Sequence, residues 1–376
     1  MSNIFEKIFG STSGTLGSAS SDSVIGIDIG SSAIKVVEIK KKAGKAVLET
    51  YGAISLGTYA DTDIGRVTNL PTEKTIEALK EVLKQSGVTT SSVAMSVPMQ
   101  SSLIFTVDLP PNIKESEIST IVPTEARKYI PVPINEVSLD YFILPSKEPS
   151  FEEANNPELS LNKKDKTEVL VVAIQSDAIS KIRSIVSQCN LTASFFEVEV
   201  FSSVRANFEH ELSLVLLVDF GASRTKLSLV EFGVVKGYHT VNRGGADITD
   251  SISKSLSIPF AEAEEMKKEF GLFGNPNEKN LADIIKVHTD YIFSETNNVL
   301  LGYEKKYGRT ITKVIFTGGG ALLKGMQEVA VNNFKAEVQV GHPFSKVGAP
   351  AFLEKVLQTT GPEFAIAIGL ALRKLQ

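Results

Sequence analysis

Asp28, Gly30, Ser31 and Ser32 lie within the run Val24 to Ile39, where a carboxylate is followed closely by a glycine and two hydroxyls. Gly30 lets the backbone bend sharply, so the N–H groups around Gly30, Ser31 and Ser32 can converge on an anion. Asp28, just before the turn, is placed to hold a metal-bound water. This is the chemistry of a phosphate and magnesium cradle, although Asp-x-Gly followed by serines also marks ordinary hairpins. A second copy lies far downstream. Val215 to Val230 aligns with the first run without gaps, matching Asp28 with Asp219, Gly30 with Gly221, Ser32 with Ser223 and Lys35 with Lys226. A third cluster, Gly318, Gly319 and Gly320, follows the apolar run from Val314 and precedes a helical pattern.

Such turns must be carried by strands, and two apolar, β-branched runs flank each Asp-x-Gly centre as a strand, a turn and a returning strand. Lys45 to Leu56 reads as a further strand, and Glu73 to Ser86 as an amphipathic helix with Ile76, Leu79, Val82 and Leu83 inward. Val93 to Pro98 opens a second module. There Ser102 to Leu109 is a strand ended by Pro110 and Pro111, and Ser116 to Tyr129 a helix stopped by Pro131 and Pro133. Val137 to Leu144 and Lys166 to Ile174 form a strand pair around the polar insertion Pro145 to Asp165, expected to be a mobile loop. Arg243 to Lys306 is largely helical, and Gly361 to Arg373 is a helix whose small residues permit close packing. At the start, Ile4, Phe5, Ile8 and Phe9 share one face of a short helix, followed by a Gly/Ser/Thr/Ala tether spanning roughly 20 Å.

The chain has 376 residues, enough for two or three domains, and its 42% hydrophobic content can fill substantial cores. A net charge of -5 and a pI near 5.6, with no Lys/Arg stripe, argue against nucleic acid as a main partner. The single cysteine, Cys189, cannot form an internal disulfide and reads as a small buried hydrophobe, which fits a reducing compartment. His210, His239, His288 and His342 have no partners at metal-ligand spacing. No apolar run approaches the ~20 residues of a membrane-spanning helix and no signal peptide is evident, so a cytoplasmic location is expected.

The order of the three motifs resembles the actin-like ATPase superfamily over nearly the whole chain. The resemblance implies an α/β fold of two duplicated α/β halves around a nucleotide cleft, with a small inserted α/β subdomain in the first half and a mainly helical insertion in the second. It implies ATP or ADP with Mg2+ as the ligands. Asp28 and Asp219 would face the metal's water shell, Gly30, Ser31, Ser32, Gly221, Ala222, Ser223 and Thr225 would surround the phosphates, and Gly318, Gly319 and Gly320 would receive the adenosine, with Gly245 beside them. Lys35 stands seven residues after Asp28, the spacing at which actin places a phosphate-binding lysine. Glu264 and Lys267, three apart on one helical face, could reach the ribose hydroxyls together, the alternative being a solvated pair. Glu199 occupies the hinge position where heat-shock chaperone ATPases carry a glutamate, so it could orient an attacking water or serve as a structural hinge residue. Ala222 and Arg224 replace the glycine-rich second hairpin of the fast ATPases, which implies slow turnover at most.

The wording narrows the resemblance further. Leu109 to Pro111, Glu125 to Pro131, Asp140 with Tyr141, Val171 to Ile174 and Glu197 to Ala206 are similar to the PilM family of type IV pilus assembly, beside FtsA. The implied organisation is a helix and tether (1–23), a first core (24–92), an inserted PilM/FtsA-type subdomain (93–191), a return and hinge (192–210), a second core (211–240), a helical insertion (241–310) and a completing segment with the second hinge helix (311–376). The implied role is an ATP-binding scaffold, peripheral at the inner membrane through its partners, that recruits the N-terminal cytoplasmic peptide of PilN and has scope for self-association. An FtsA-like division filament, an actin-like component of a type II secretion system and a small-molecule kinase stay open as alternatives. The kinase alternative would need a carboxylate base, for which this region offers Glu197 and Glu199; the absence of a tether and amphipathic helix after the last hinge helix weighs against FtsA.

Overall fold

The computed structural model describes residues 23–110, 113–144, 167–209 and 213–375. The expected N-terminal helix and tether, and the polar insertion Pro145 to Asp165, lie outside the described residues. Within them the chain forms two compact units, one holding residues 99–180 and the other 23–98 with 181–375.

In chain order, β1 (Ser23–Ile29), β2 (Ala33–Lys42) and β3 (Lys45–Ser55) form an antiparallel meander, and the helix Thr72–Gln85 follows, burying Ile76, Leu79 and Val82. Next comes β4 (Ser92–Val97). The smaller unit then contributes β5 (Ser102–Leu109), the helix Glu115–Ala126, β6 (Val137–Ile143) and β7 (Thr167–Gln175), before β8 (Thr192–Val198). β4 corrects the expected boundary: the second module does not begin at Val93. This strand pairs in parallel with β1 on one side and β8 on the other. Its run is apolar because it is central and covered on both faces, a pattern that periodicity alone does not assign to either module.

The first five-stranded sheet has the order β3-β2-β1-β4-β8. After the helix Glu199–Asn207, the pattern returns as β9 (Val215–Phe220), β10 (Thr225–Glu231), β11 (Val234–Val241), β12 (Lys313–Thr317) and β13 (Glu337–Val340), with the order β11-β10-β9-β12-β13. Strand directions repeat as well, two antiparallel pairings followed by two parallel ones. The duplication seen around Asp28 and Asp219 is thus a duplication of whole sheets. Between β11 and β12 the chain is helical, with Gly245–Leu256, Phe260–Phe270 and Leu281–Tyr307 packing a core that includes Ile248, Ile285 and Phe293.

The last helix, Ala365–Leu375, runs across β1 and the helix Glu199–Asn207, with Ala365 to Leu372 buried. Small residues make this approach possible. A Cβ on Gly26 would fall 1.9 Å from the Ala367 carbonyl oxygen, and one on Gly369 would fall 1.9 Å from that of Ser202.

The smaller unit is an antiparallel three-stranded sheet, β5-β7-β6, with the helix Glu115–Ala126 supplying Ile118 and Val122 to a core shared with Val107, Leu109, Val169 and Val171. The helix ends at Ala126, earlier than the expected Tyr129, and tolerates Pro123 in its interior.

Candidate functional site

The register of each hairpin sets a carboxylate across from a lysine. Asp28 on β1 lies opposite Lys35 on β2, and Asp219 on β9 lies opposite Lys226 on β10. The turns close identically: the Gly30 N–H donates to the Ala33 carbonyl at 3.0 Å, and the Gly221 N–H donates to the Arg224 carbonyl at 3.0 Å. This corrects one expectation from the sequence. The Gly30 amide closes its own turn, so it does not point at an anion, and the amides of Ser31 and Ser32 are the ones left to do so.

The third glycine cluster is pressed against the second hairpin. Gly318 has φ +79°, and a Cβ there would fall 2.5 Å from Asp219 Oδ1, while a Cβ on Gly320 would fall 2.3 Å from the Phe220 ring. Gly319 differs from both, since its added Cβ would meet only the Glu363 side chain, at 3.6 Å. The helix Gly245–Leu256 docks on the second turn by donating the Gly245 N–H to the Gly221 carbonyl at 3.0 Å and the Ala246 N–H to the Ala222 carbonyl at 2.9 Å.

These elements enclose a cavity of about 520 Å³, lined by Asp28, Gly30, Ser31, Ser32, Lys35, Glu199, Asp219, Gly221, Ala222, Lys226, Gly245, Glu264, Lys267, Gly318, Gly319 and Gly320. Of the residues singled out in the sequence, Ser223 and Thr225 are not in its wall. Thr225 is fully buried and donates its hydroxyl to the Arg243 carbonyl at 2.9 Å, because it starts a strand whose alternate residues face the core.

Glu264 and Lys267 are not a solvated pair. Lys267 donates to Glu264 Oε2 at 2.6 Å, to Thr249 Oγ1 at 2.8 Å and to the Gly245 carbonyl at 3.0 Å, and Thr249 donates to Glu264 at 2.5 Å. Burial works to raise the Glu264 pKa, but Lys267 and the Thr249 hydroxyl outweigh it and hold the carboxyl below its ordinary value. Thr249 was not legible as a member of this group, since only the packing of the helix Gly245–Leu256 on the helix Phe260–Phe270 brings it there.

Lys226 is the second residue that sequence reasoning left without a role, although its alignment with Lys35 was visible. Its ammonium bonds Glu199 Oε2 at 2.7 Å and lies 3.3 Å from Asp219 Oδ2. Burial acts to lower its pKa, yet Glu199 and Asp219, with Asp28 beyond them, push it well above the usual lysine range. On the other side of the cavity Asp28 accepts the Ser96 hydroxyl at 2.9 Å, and Lys35 makes no ion pair among the described residues.

A loop from the first half spans the cavity mouth. Thr68 donates its N–H to the Ser31 carbonyl and Leu56 to that of Ser32, each at 2.9 Å, which ties both ends of the loop to the first turn. In between, Gly65 has φ +90° and a Cβ there would fall 3.1 Å from the Glu264 carboxyl carbon, while the Arg66 guanidinium stands 4.1 Å from the centre of the Phe260 ring.

Two duplicated sheets, each contributing an Asp-x-Gly hairpin to one cavity whose floor is a glycine-rich strand end, define the actin-like ATPase fold. The profile of the type IV pilus assembly protein PilM family matches residues 26–375, and the chain belongs to that family. Among solved structures it is similar to a PilM–PilN type IV pilus biogenesis complex, with a TM-score of 0.76 and 23% identity over 94% of this chain and 98% of the other. It is also similar to the ethanolamine utilization protein EutJ from Carboxydothermus hydrogenoformans, with a TM-score of 0.52 and 16% identity over 93% and 89% of the two chains. A curated relative is the cell division protein FtsA of Staphylococcus epidermidis, 25% identical over 361 residues that cover 85% of this chain and 74% of that protein.

Proposed function

We propose that the cavity binds Mg-ATP or Mg-ADP and that the chain acts in type IV pilus assembly as a nucleotide-bound scaffold. It would recruit the N-terminal cytoplasmic peptide of a PilN-type partner and so be held at the inner membrane. The observation that carries the nucleotide reading is the mirrored pair of hairpins: each offers one carboxylate and one lysine to a shared cavity within the usual 300–1,000 Å³ of ligand sites. Ser31, Ser32, Ala222 and Lys35 then face the phosphates, Glu264 and Lys267 the ribose, and Gly318 to Gly320 the adenosine.

Magnesium fits this donor set in one manner. The described residues contain no cluster of three metal-ligating side chains, and Asp219 already faces an ammonium. Asp28 and Asp219 therefore suit the water shell of an ion that arrives on the phosphates, which is how Mg2+ is usually held. When bound, the ion would neutralise phosphate charge.

Gly319→Val tests the placement, because the one open glycine of the cluster admits a side chain into the cavity without striking backbone. Calorimetry should show Mg-ATP affinity lost in a variant that melts as the wild type does, and unchanged affinity would refute the site. For the partner, a pull-down with the cytoplasmic peptide of the host's PilN should succeed with the full chain and fail with a scrambled peptide. An extended, apolar peptide bound through backbone hydrogen bonds and side-chain pockets is the recognition mode this family suggests.

A further inference from the structure

We propose that Lys226 restrains hydrolysis at the cavity by holding Glu199 in an ion pair, which withholds that carboxylate from the attacking water. The inference rests on the reading of the cavity as an ATP site and deepens it by naming the residue that sets turnover. Glu199 is the first residue of its helix, its side chain lines the cavity, and it approaches from a helix start rather than from either hairpin. Lys226 reaches it because the β10 register already places that lysine opposite Asp219, so one ammonium spans both carboxylates. Both partners are nearly out of solvent, with the side chains of Lys226 and Glu199 17% and 8% exposed. Little water is therefore available to screen the pair.

Hydrolysis forms a bond from the water oxygen to the γ-phosphorus and breaks the bond to the bridging oxygen, which leaves with its electron pair on ADP. The water's proton goes to the released phosphate. A group that orients the water must accept a hydrogen bond from it, in line with the leaving oxygen. A carboxylate whose oxygen is engaged by an ammonium at 2.7 Å accepts more weakly and is aimed at the lysine rather than at the water. Lys35, the equivalent of Lys226 in the first hairpin, has no glutamate within reach among the described residues and stays open to a phosphate. The two copies of one hairpin thus carry one lysine that faces the ligand and one that is tied back.

The test measures single-turnover hydrolysis of saturating Mg-ATP by the full chain, with calorimetry alongside to establish saturation. Lys226→Gln and Lys226→Met should each hydrolyse faster by up to about a hundredfold, the low end of what a freed acid–base group contributes. Adding Glu199→Gln to either should abolish the gain, and Lys226→Arg, which restores the ion pair, should return the rate to the wild-type level. In the nucleotide-free protein, the Lys226 ammonium resonance in nitrogen-15 NMR should be protected from exchange and should shift in Glu199→Gln. A folded Lys226→Gln or Lys226→Met variant that binds Mg-ATP yet turns over no faster overturns the proposal, as does a Lys226 resonance indifferent to Glu199. Wild-type protein that fails to bind Mg-ATP overturns the ATP reading itself, which is a separate result.

Discussion

Glu197 has no exposed surface and still carries its charge, because two arginines meet it. Arg205 bonds both carboxylate oxygens, at 2.7 and 2.8 Å, and Arg373 bonds one of them at 2.9 Å. Burial alone would raise this carboxyl's pKa, but the arginines outweigh it and hold the group below the ordinary carboxylate range. Glu197 is therefore unavailable as the acceptor-site base that a small-molecule kinase would need. Its stabilising effect is complete at neutral pH and is lost as pH falls through its lowered folded value. Glu197→Gln should cost about 3–5 kcal/mol at pH 7 by leaving buried arginines unpaired. Denaturant titrations should show that the gap between wild type and variant narrows in acid, and a gap independent of pH would contradict this account. The sequence made Asp28, Asp219 and the glycines legible because they lie in short contiguous motifs that repeat. The ion pairs that fix the roles of Lys226 and Glu197 were opaque for the opposite reason, since Glu199 lies 27 positions from Lys226 and Arg373 lies 176 from Glu197, and they meet only in the packed molecule.

Among the elements, the last helix was legible from its small and apolar residues, and the structure shows how close it comes to the helix Glu199–Asn207. Gly369→Ala sets a methyl group against the Ser202 carbonyl and should destabilise by about 1–3 kcal/mol, the range for overpacking, read as a lowered melting temperature. The loop across the cavity mouth was not legible at all, having neither strand nor helix periodicity. It joins the first hairpin turn to Phe260 and Glu264, and if a ligand in the cavity leaves past this loop, the Arg66 contact with the Phe260 ring would slow it. Arg66→Ala should speed Mg-ADP release by about two- to fivefold in stopped flow, corresponding to the roughly 0.5–1 kcal/mol of a partly exposed cation–π contact. An unchanged release rate would show that the loop plays no part in retention. β4 was misassigned because a buried parallel strand and the start of a new module look alike when only one strand is read.

At the scale of the molecule, ligand binding and partner capture should respond differently to conditions. Mg-ADP at a hundred times its Kd should raise the stability of the unit that holds the cavity by about 2.7 kcal/mol, seen as a concentration-dependent rise in its melting transition. Capture of the PilN-type peptide should persist in high salt, since apolar burial is screened far less than exposed charge. Loss of capture at about 0.5 M salt, where the screening length falls well below 10 Å, would assign the interface to charge instead. No helix among the described residues is long and apolar enough to cross a membrane.

The approach of Ser202 to Gly369 gives the larger unit a crossing contact made of backbone rather than of flexible side chains. Lys346 adds to its stiffness, donating to the Arg205 and Phe208 carbonyls at the end of the first hinge helix. A backbone contact of this kind has little give. Any turn about that contact would grow in proportion to distance from it. If the two sheets turn about this contact when the cavity fills, the outer edge of either sheet is where the turn would be largest.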